Sequence, residues 1–481
     1  MARFSLRAAP LLLAAVASCT LTRSVPDSCT STADCRAAFG GGLVCGASGL
    51  CERAGPNPRC EAAFPVDLLT RPESYAGIIT LGSLMDRSVE TQRDREAAIR
   101  LATMQVNEAK GLDGRLFGVV QCDVAEDAKY DSLKRGEAAV ENAKYLSDVL
   151  GVPAIIGPSA SGDALLVLEA LKGKDVLVMS PSASSPELTT RDVAAPSDDE
   201  PGLFWRTVAP DTLQGNAIAR QIVEVKADAK RVVVIAEEGP YGSSLAEVFT
   251  QAFAKDGRAA NTIAYTTASE RDAAIVAAAA APPPDFVLFF SSQTPDVVSF
   301  LNAASTLESY KDVPLFLTDS AANTDVLNGV AAASTIFPRV TGSRPAVPKG
   351  PTFELFKTSY SAAFKKDPSA LGFAPQAYDA TWLVFYGTAF ASKQGTITGK
   401  GIARGLRKIA RTGPEVAITP ANWTAISNDV AEGKPVNVDG ASGKLDYDPA
   451  TEETTSLVDI WKISADGKAI ETIKEIDPTA P

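Results

Sequence analysis

Two successive series of short, unbroken apolar runs, separated by segments of helical periodicity, constrain this 481-residue chain more than any other feature. A strand packed on both faces by helices has no solvent side and so shows no polar alternation; such runs predict parallel sheets covered on both faces. The first series reads strand 76–81, helix 93–109, strand 116–121, helix 132–150, strand 153–156, helix 163–171 and strand 176–179. After Arg206 a second reads helix 213–225, strand 231–236, helix 243–255, strand 260–266, helix 271–280, strand 286–290, helix 295–305 and strand 315–317. Two such series exceed one usual sheet and predict an α/β fold of two doubly wound parallel-sheet lobes. The acidic, proline-bearing stretch 192–201 reads as a surface loop, and the run 277–284 as a helix end stopped by prolines.

At the N-terminus, Arg3 and Arg7 precede an apolar run from Ala8 to Ala17 that closes in Val16-Ala17-Ser18-Cys19. A charged start, about ten apolar residues and small residues before a cut describe a bacterial secretion signal over 1–18. The run is too short for a membrane span, which takes about 20 residues. Val-Ala-Ser-Cys resembles the lipobox of bacterial lipoproteins, which implies acylation of Cys19 and a lipid-anchored place in the cell envelope, on the periplasmic or cell-surface side. Several acyl chains on one residue anchor stably where a single chain binds only marginally.

Six cysteines remain: Cys29, Cys35, Cys45, Cys51, Cys60 and Cys122. Exported chains meet an oxidising compartment, so an even set at short spacings reads as disulfides. Zinc is the rival, but zinc ribbons use C-x2-C pairs and these follow as C-x5-C, C-x9-C, C-x5-C and C-x8-C, so no metal is expected. Residues 19–74 read as a Cys-rich stalk with too little periodic apolar pattern to hold together unstapled. If the four cysteines from 29 to 51 close among themselves, Cys60 is left to reach Cys122, a pairing that rests on parity alone.

The chain has no histidine, which excludes Ser-His-Asp and Cys-His catalysis, His-ligated zinc and an unperturbed proton shuttle near neutrality. Its 46 Lys+Arg against 58 Asp+Glu give a net charge of −12 and argue against a nucleic-acid partner, which needs a positive surface.

In open α/β sheets ligands bind where loops leave the carboxyl ends of strands. Two such loops are Ile155-Ile156-Gly157-Pro158-Ser159-Ala160-Ser161-Gly162 and Met179-Ser180-Pro181-Ser182-Ala183-Ser184-Ser185-Pro186. At these segments the chain resembles the type I periplasmic binding proteins, specifically the branched-chain amino-acid (Leu/Ile/Val) binding family. Matches continue in order with Phe204-Trp205-Arg206-Thr207, Gln214-Gly215, Tyr241-Gly242, Tyr378-Asp379-Ala380 and Asp439-Gly440-Ala441-Ser442-Gly443-Lys444. The resemblance implies two lobes joined by three crossing strands that close on a ligand by hinge motion. Lobe 1 would hold 75–207 plus 340–430, and lobe 2 would hold 208–338 plus 431–481. That return explains helical residues such as 374–391 after the second lobe is complete.

A free amino acid presents a carboxylate, suited to neutral donors at a helix N-terminus, and an ammonium, suited to an acid. By the resemblance the carboxylate-binding serine falls on Ser161, the main-chain contact on Ser182 and a further hydroxyl on Ser184; plain N-capping is the simpler role for Ser161 and Ser184. A cleft tyrosine falls on Tyr241, whose Gly-Pro-Tyr-Gly setting is also turn chemistry. The ammonium's acid falls on Asp319, with Ser320 as the alternative alignment and an Asx turn or cap as the plainer role. Gln293 and Thr294 stand where relatives often carry an aromatic residue. Residues 82–85 and Gln92 form the predicted rim, Tyr378 and Asp379 a structural helix near the hinge, and the basic run 400–408 a solvated helix face.

The resemblance thus implies an extracytoplasmic solute-binding lipoprotein, monomeric and without a cofactor, that captures a small polar ligand such as an amino acid for an ABC permease. A ligand sensor or surface receptor of the same fold is the alternative. Carboxylate-only hydrolysis would need two acids on adjacent sheet-end loops, and no such pair is present.

Overall fold

A computed structural model describes residues 28–39, 42–75, 77–193, 195–280 and 282–480. The signal segment 1–18 and Cys19 lie outside the described residues. Two sheets carry the fold. In the first the strands lie in the order Ala62–Phe64, Phe117–Asp123, Ile79–Met85, Ala154–Ile156, Leu177–Ser180 and Phe204–Arg206, parallel throughout except for the first, an antiparallel edge. The second runs Ala260–Tyr265, Val232–Glu237, Phe286–Phe290, Leu315–Leu317 and Val340–Pro345, all parallel, then antiparallel Val458–Ile463 and Ile470–Ile476. Apart from the antiparallel additions, both sheets place their second strand outside their first and the third, fourth and fifth on the other side. That order opens a crevice at the carboxyl end of the first strand, where connections leave in opposite directions.

Continuous burial is the physical basis of these strands. Phe117 and Val119 face one apolar cluster of the first lobe, while Val120 and Cys122 face the other; in the second lobe Val233 and Ile235 divide from Val232 and Val234 in the same way. The helix Ala374–Lys393 is buried along nearly its whole length, with Trp382, Phe385 and Tyr386 packed on Trp423. Phe385 also meets Phe117 of the first sheet, so residues far downstream complete the first core.

The chain passes between the sheets three times: after Arg206, after Pro345 and before Val458. Two expected boundaries move accordingly. Val340–Pro345 pairs with Leu315–Leu317 in the second sheet, so the first return follows Pro345 and not 340. Asn437–Gly440 pairs with Glu415–Ala417, and Val436, Val438, Leu445 and Tyr447 join the first lobe's core, so the last crossing follows Tyr447 and not 431. Val340–Pro345 is short and half polar; its backbone pairing, which carries no side-chain signal, decides its lobe.

The described cysteines pair as Cys29–Cys45, Cys35–Cys51 and Cys60–Cys122. Cys35–Cys51 ties the helix Thr32–Phe39 to the hairpin Leu43–Cys45 and Cys51–Arg53, and Cys29–Cys45 ties the segment before the helix to the same hairpin. The residues from 58 onward, expected in the stalk, belong to the first lobe instead. Arg59 is buried and held by both Asp131 carboxylate oxygens at 2.8 and 2.6 Å, and Ala62–Phe64 extends the sheet.

Two further expectations change. Helix 132–150 begins at Arg135, where Glu137 accepts the Lys134 backbone N–H at 2.9 Å, and ends in a π turn, Tyr145–Leu150, stopped by Gly151 at a φ of 66°. The basic run is not a free solvated face: Lys400 pairs with Glu200 at 2.7 Å, and Arg407 and Lys408 share Asp198 at 2.6 and 2.9 Å. It clasps the acidic loop 192–201, two surface stretches of opposite sign that the chain separates by some 200 residues.

Candidate functional site

Loops from the carboxyl ends of both sheets face each other across an open cleft of about 840 Å³. The first lobe contributes Ser159, Ala160 and Ser161 after the strand Ala154–Ile156, Ser182 after Leu177–Ser180, and Gln92 and Arg95 from the helix Glu90–Glu108. Opposite them stand Tyr241, Ser292 to Pro295, and Asp319, Ser320, Ala322 and Asn323. Most of the lining residues are polar, but apolar atoms make up about half of the exposed wall, Val89, Pro295 and Phe373 among their sources.

Arg95 dominates the electrostatics of the first-lobe wall. Its guanidinium is buried, donates from Nη1 to Ser182 Oγ at 2.9 Å and from Nε to the Gly372 carbonyl at 3.1 Å, and lies 4.9 Å from the centre of the Phe373 ring. Burial pulls its pKa down to about 10, partly offset by the charge of Asp319. Its hydrogen bonds go to neutral oxygens, which leaves N–H groups for an anion. Arg135, at the same wall, is occupied by Asp163 at 2.8 Å and Asp86 at 3.6 Å.

Across the cleft Asp319 Oδ1 accepts the Tyr241 hydroxyl at 2.7 Å and the Gln214 amide at 3.2 Å. Burial pushes the Asp319 pKa up, against these two donors and the positive charge of Arg95. The acid is therefore placed where an approaching cation would stabilise its ionised form.

The structure brings five of the six sequence-predicted positions to this cleft: Ser161, Ser182, Tyr241, Asp319 and Ser320. Their bonding differs in detail from expectation. Ser161 starts the helix Ser161–Ala170, but its hydroxyl accepts the Ser185 N–H at 3.2 Å and caps nothing of its own helix. The Ser182 N–H donates to Ser180 Oγ at 3.3 Å, while its hydroxyl donates to the Ser159 carbonyl at 2.9 Å. Ser320 is turned onto the Ser291 carbonyl. Ser184 is the exception: it is buried behind the cleft wall beside Asp211, and the hydroxyl that caps the turn Pro186–Thr190 is that of Ser185. The first Ser of a Ser-Ser-Pro triplet cannot cap a turn that starts at the proline; the second is the N-cap.

Asp211 begins the helix Asp211–Val225 just past the first crossing, fully buried, and neither carboxylate oxygen has a hydrogen-bond partner among the described residues. Burial, then the charge of Asp319, raises its pKa to about 8, against the positive charge of Arg206. The folded protein thus keeps a proton that the unfolded chain releases near pH 4, so this group costs stability as pH rises from about 4 to 8, by at most about 1.4 kcal/mol per pH unit. Asp211→Asn is expected to flatten that part of the stability profile and to raise the melting temperature most at pH 9. Parallel wild-type and variant profiles in urea melts from pH 5 to 9 would refute it.

Tyr378 and Asp379 are structural in position: Tyr378 donates to Gln105 at 2.6 Å, and Asp379 accepts the Ala441 and Ser442 N–H groups at 2.9 and 2.6 Å. Sequence reasoning passed over Arg95 and Phe373. Arg95 sits in Gln92-Arg93-Asp94-Arg95-Glu96, where no neighbour distinguishes it from the exposed Arg93. The available signal was periodicity: Gln92, Arg95, Ile99, Ala102 and Val106 share one buried face, polar only at the end next to the sheet's carboxyl edge.

The sequence profile described as "Periplasmic binding protein" matches residues 79–429. A Leu/Ile/Val-binding protein of Rhizobium johnstonii is 24% identical over 369 residues, which cover 77% of this chain and 87% of that protein. The Leu/Ile/Val-binding protein of Escherichia coli K12 is 27% identical over 205 residues, 42% of this chain and 50% of that protein. Among solved structures, the leucine-binding protein of Thermotoga maritima MSB8 superposes with a TM-score of 0.64 at 18% identity, covering 83% of this chain and 99% of that one.

Proposed function

From the premise that the chain belongs to the periplasmic binding protein family, in its type I branched-chain amino-acid class, we propose that it is an extracytoplasmic receptor for a small zwitterion, feeding an ABC permease. Members of this family are solute-binding proteins, and the reading here is of a receptor and not of an enzyme. The observation that carries it is the opposition of Arg95, Ser161 and Ser182 on one wall to Tyr241 and Asp319 on the other. A ligand carboxylate takes the free guanidinium N–H groups and the start of the helix Ser161–Ala170; its ammonium takes Asp319. Closure of the lobes would bring both ends of the ligand into contact and exclude water, which strengthens both charge pairs.

The names of the curated relatives support branched-chain amino acids, and the polar residues that line the cleft beside its apolar atoms suit a more polar member of the amino-acid class as well. Anchoring through an acylated Cys19 belongs to the same proposal, as does monomeric action; the intact mass of membrane-extracted protein reads the anchor directly. No helix among the described residues is long and apolar enough to cross a membrane.

A thermal-shift screen of free amino acids tests the function. A true ligand at a hundredfold excess over its dissociation constant should add about 2.7 kcal/mol of stability. Asp319→Asn should remove that gain for the amino acid and leave the effect of a matching carboxylate without the amino group. If no amino acid shifts the transition, the zwitterion reading falls.

A further inference from the structure

Behind the cleft, against the second crossing, lies another chamber of about 500 Å³. Asp319, Ala322, Gly372 and Phe373 line both spaces, so the two meet along one wall. The chamber differs in chemistry from the cleft. Its surface is built largely of apolar groups, among them Pro345, Val347, Pro348, Phe353 and Leu371. Three polar atoms buried in its wall have no hydrogen-bond partner among the described residues: Gln376 Oε1, Ser369 Oγ and Arg344 Nε, the last 3.9 Å from an Asp459 carboxylate oxygen. Gln376 is 7% exposed, and a buried amide oxygen left unpaired costs free energy that a bound group could recover.

The dividing wall is itself costly. Phe373 is held at a φ of 65°, a left-handed conformation that bulky residues rarely take. This conformation sets its ring between the Arg95 guanidinium and the chamber.

We propose that the chamber takes the distal part of the ligand: a charged head held in the cleft, an apolar body passing Phe373, and a terminal hydroxyl or amide that donates to Gln376. The ligand class is then an α-amino acid with a long side chain, polar at its tip. This rests on the head-group reading of Arg95 and Asp319, and the test separates the two.

Binding of the full mature chain is measured by calorimetry for straight-chain α-amino acids from alanine through norvaline and norleucine to α-aminooctanoic acid, and for the corresponding carboxylates without the amino group. Affinity should rise about fourfold per added methylene, the yield of burying each one. Ala346→Trp, which fills the chamber, should abolish that rise and leave alanine unchanged. Gln376→Leu, a second variant that leaves the crossing untouched, should remove the preference for the ω-hydroxyl form of α-aminooctanoic acid. Amino acids that bind with an affinity flat or falling in chain length overturn the chamber and spare the zwitterion reading. Carboxylates that gain with length while amino acids stay silent spare the chamber and overturn the zwitterion reading. Silence of both series overturns both.

Discussion

Replacing Arg95 with alanine is expected to weaken binding of the zwitterionic ligand by roughly thirtyfold to several thousandfold, the range for removing one partner of a buried charge pair. The guanidinium is mostly buried before any ligand arrives, so part of the dehydration that pairing it requires is already done. Arg95→Lys keeps the charge but loses the planar fork, and should fall between wild type and alanine. Because the side chain also props the Gly372 carbonyl and Ser182, a structural loss must be told apart from a lost contact. The ligand's carboxamide makes that distinction. It offers the guanidinium no anion, so its weaker affinity should be nearly the same in wild type and in Arg95→Ala. Equal losses for acid and amide would show that Arg95 only holds the wall.

The second large effect concerns stability. Arg206, fully buried at the first crossing, makes a two-pronged contact with Glu453 of the third, with Nε 2.7 Å from Oε2. It also donates from Nη1 to the Ala183 and Ser185 carbonyls at 3.0 and 2.9 Å, while its own carbonyl accepts the Tyr447 hydroxyl at 2.8 Å. Glu453→Ala leaves a guanidinium in the interior without its counter-charge, and should cost about 3–5 kcal/mol. The double variant Arg206→Met, Glu453→Leu should regain a large part of that loss, because it removes both charges and keeps the volume. Urea denaturation reads both. A Glu453→Ala cost below about 0.5 kcal/mol, the size of an ordinary surface substitution, would show that solvent reaches the pair.

The strands and helices of both lobes were legible because burial on two faces writes itself locally, as unbroken runs such as Phe286 to Phe290 and as the spacing of helical faces. The loops at the sheet ends were legible for a related reason: the rule that ligands meet the carboxyl edges of parallel strands needs only the order of elements. Ser161, Ser182, Tyr241 and Asp319 themselves came from the resemblance to the branched-chain amino-acid binding family, and all four line one cleft. Ser184 was misplaced because which of two adjacent serines caps a turn depends on backbone angles, with Ser185 at the N-cap. The edge strand Ala62–Phe64 was missed because three residues are too few to show a period, and the strand Val340–Pro345 was misassigned because its six residues are of mixed character; only pairing across the sheet assigns either.

The sequence by itself determined the class of fold, the doubling into two lobes and the position of the loops that form the cleft. Each follows from composition or from spacing within a few residues. Tertiary structure alone decided that Arg95 comes against Phe373, that Arg206 finds Glu453, and that the basic run 400–408 meets the acidic loop 192–201. Those pairs lie up to about 280 residues apart. Whether a charge is desolvated, and by what it is matched, depends on everything folded around it, and no local pattern records that.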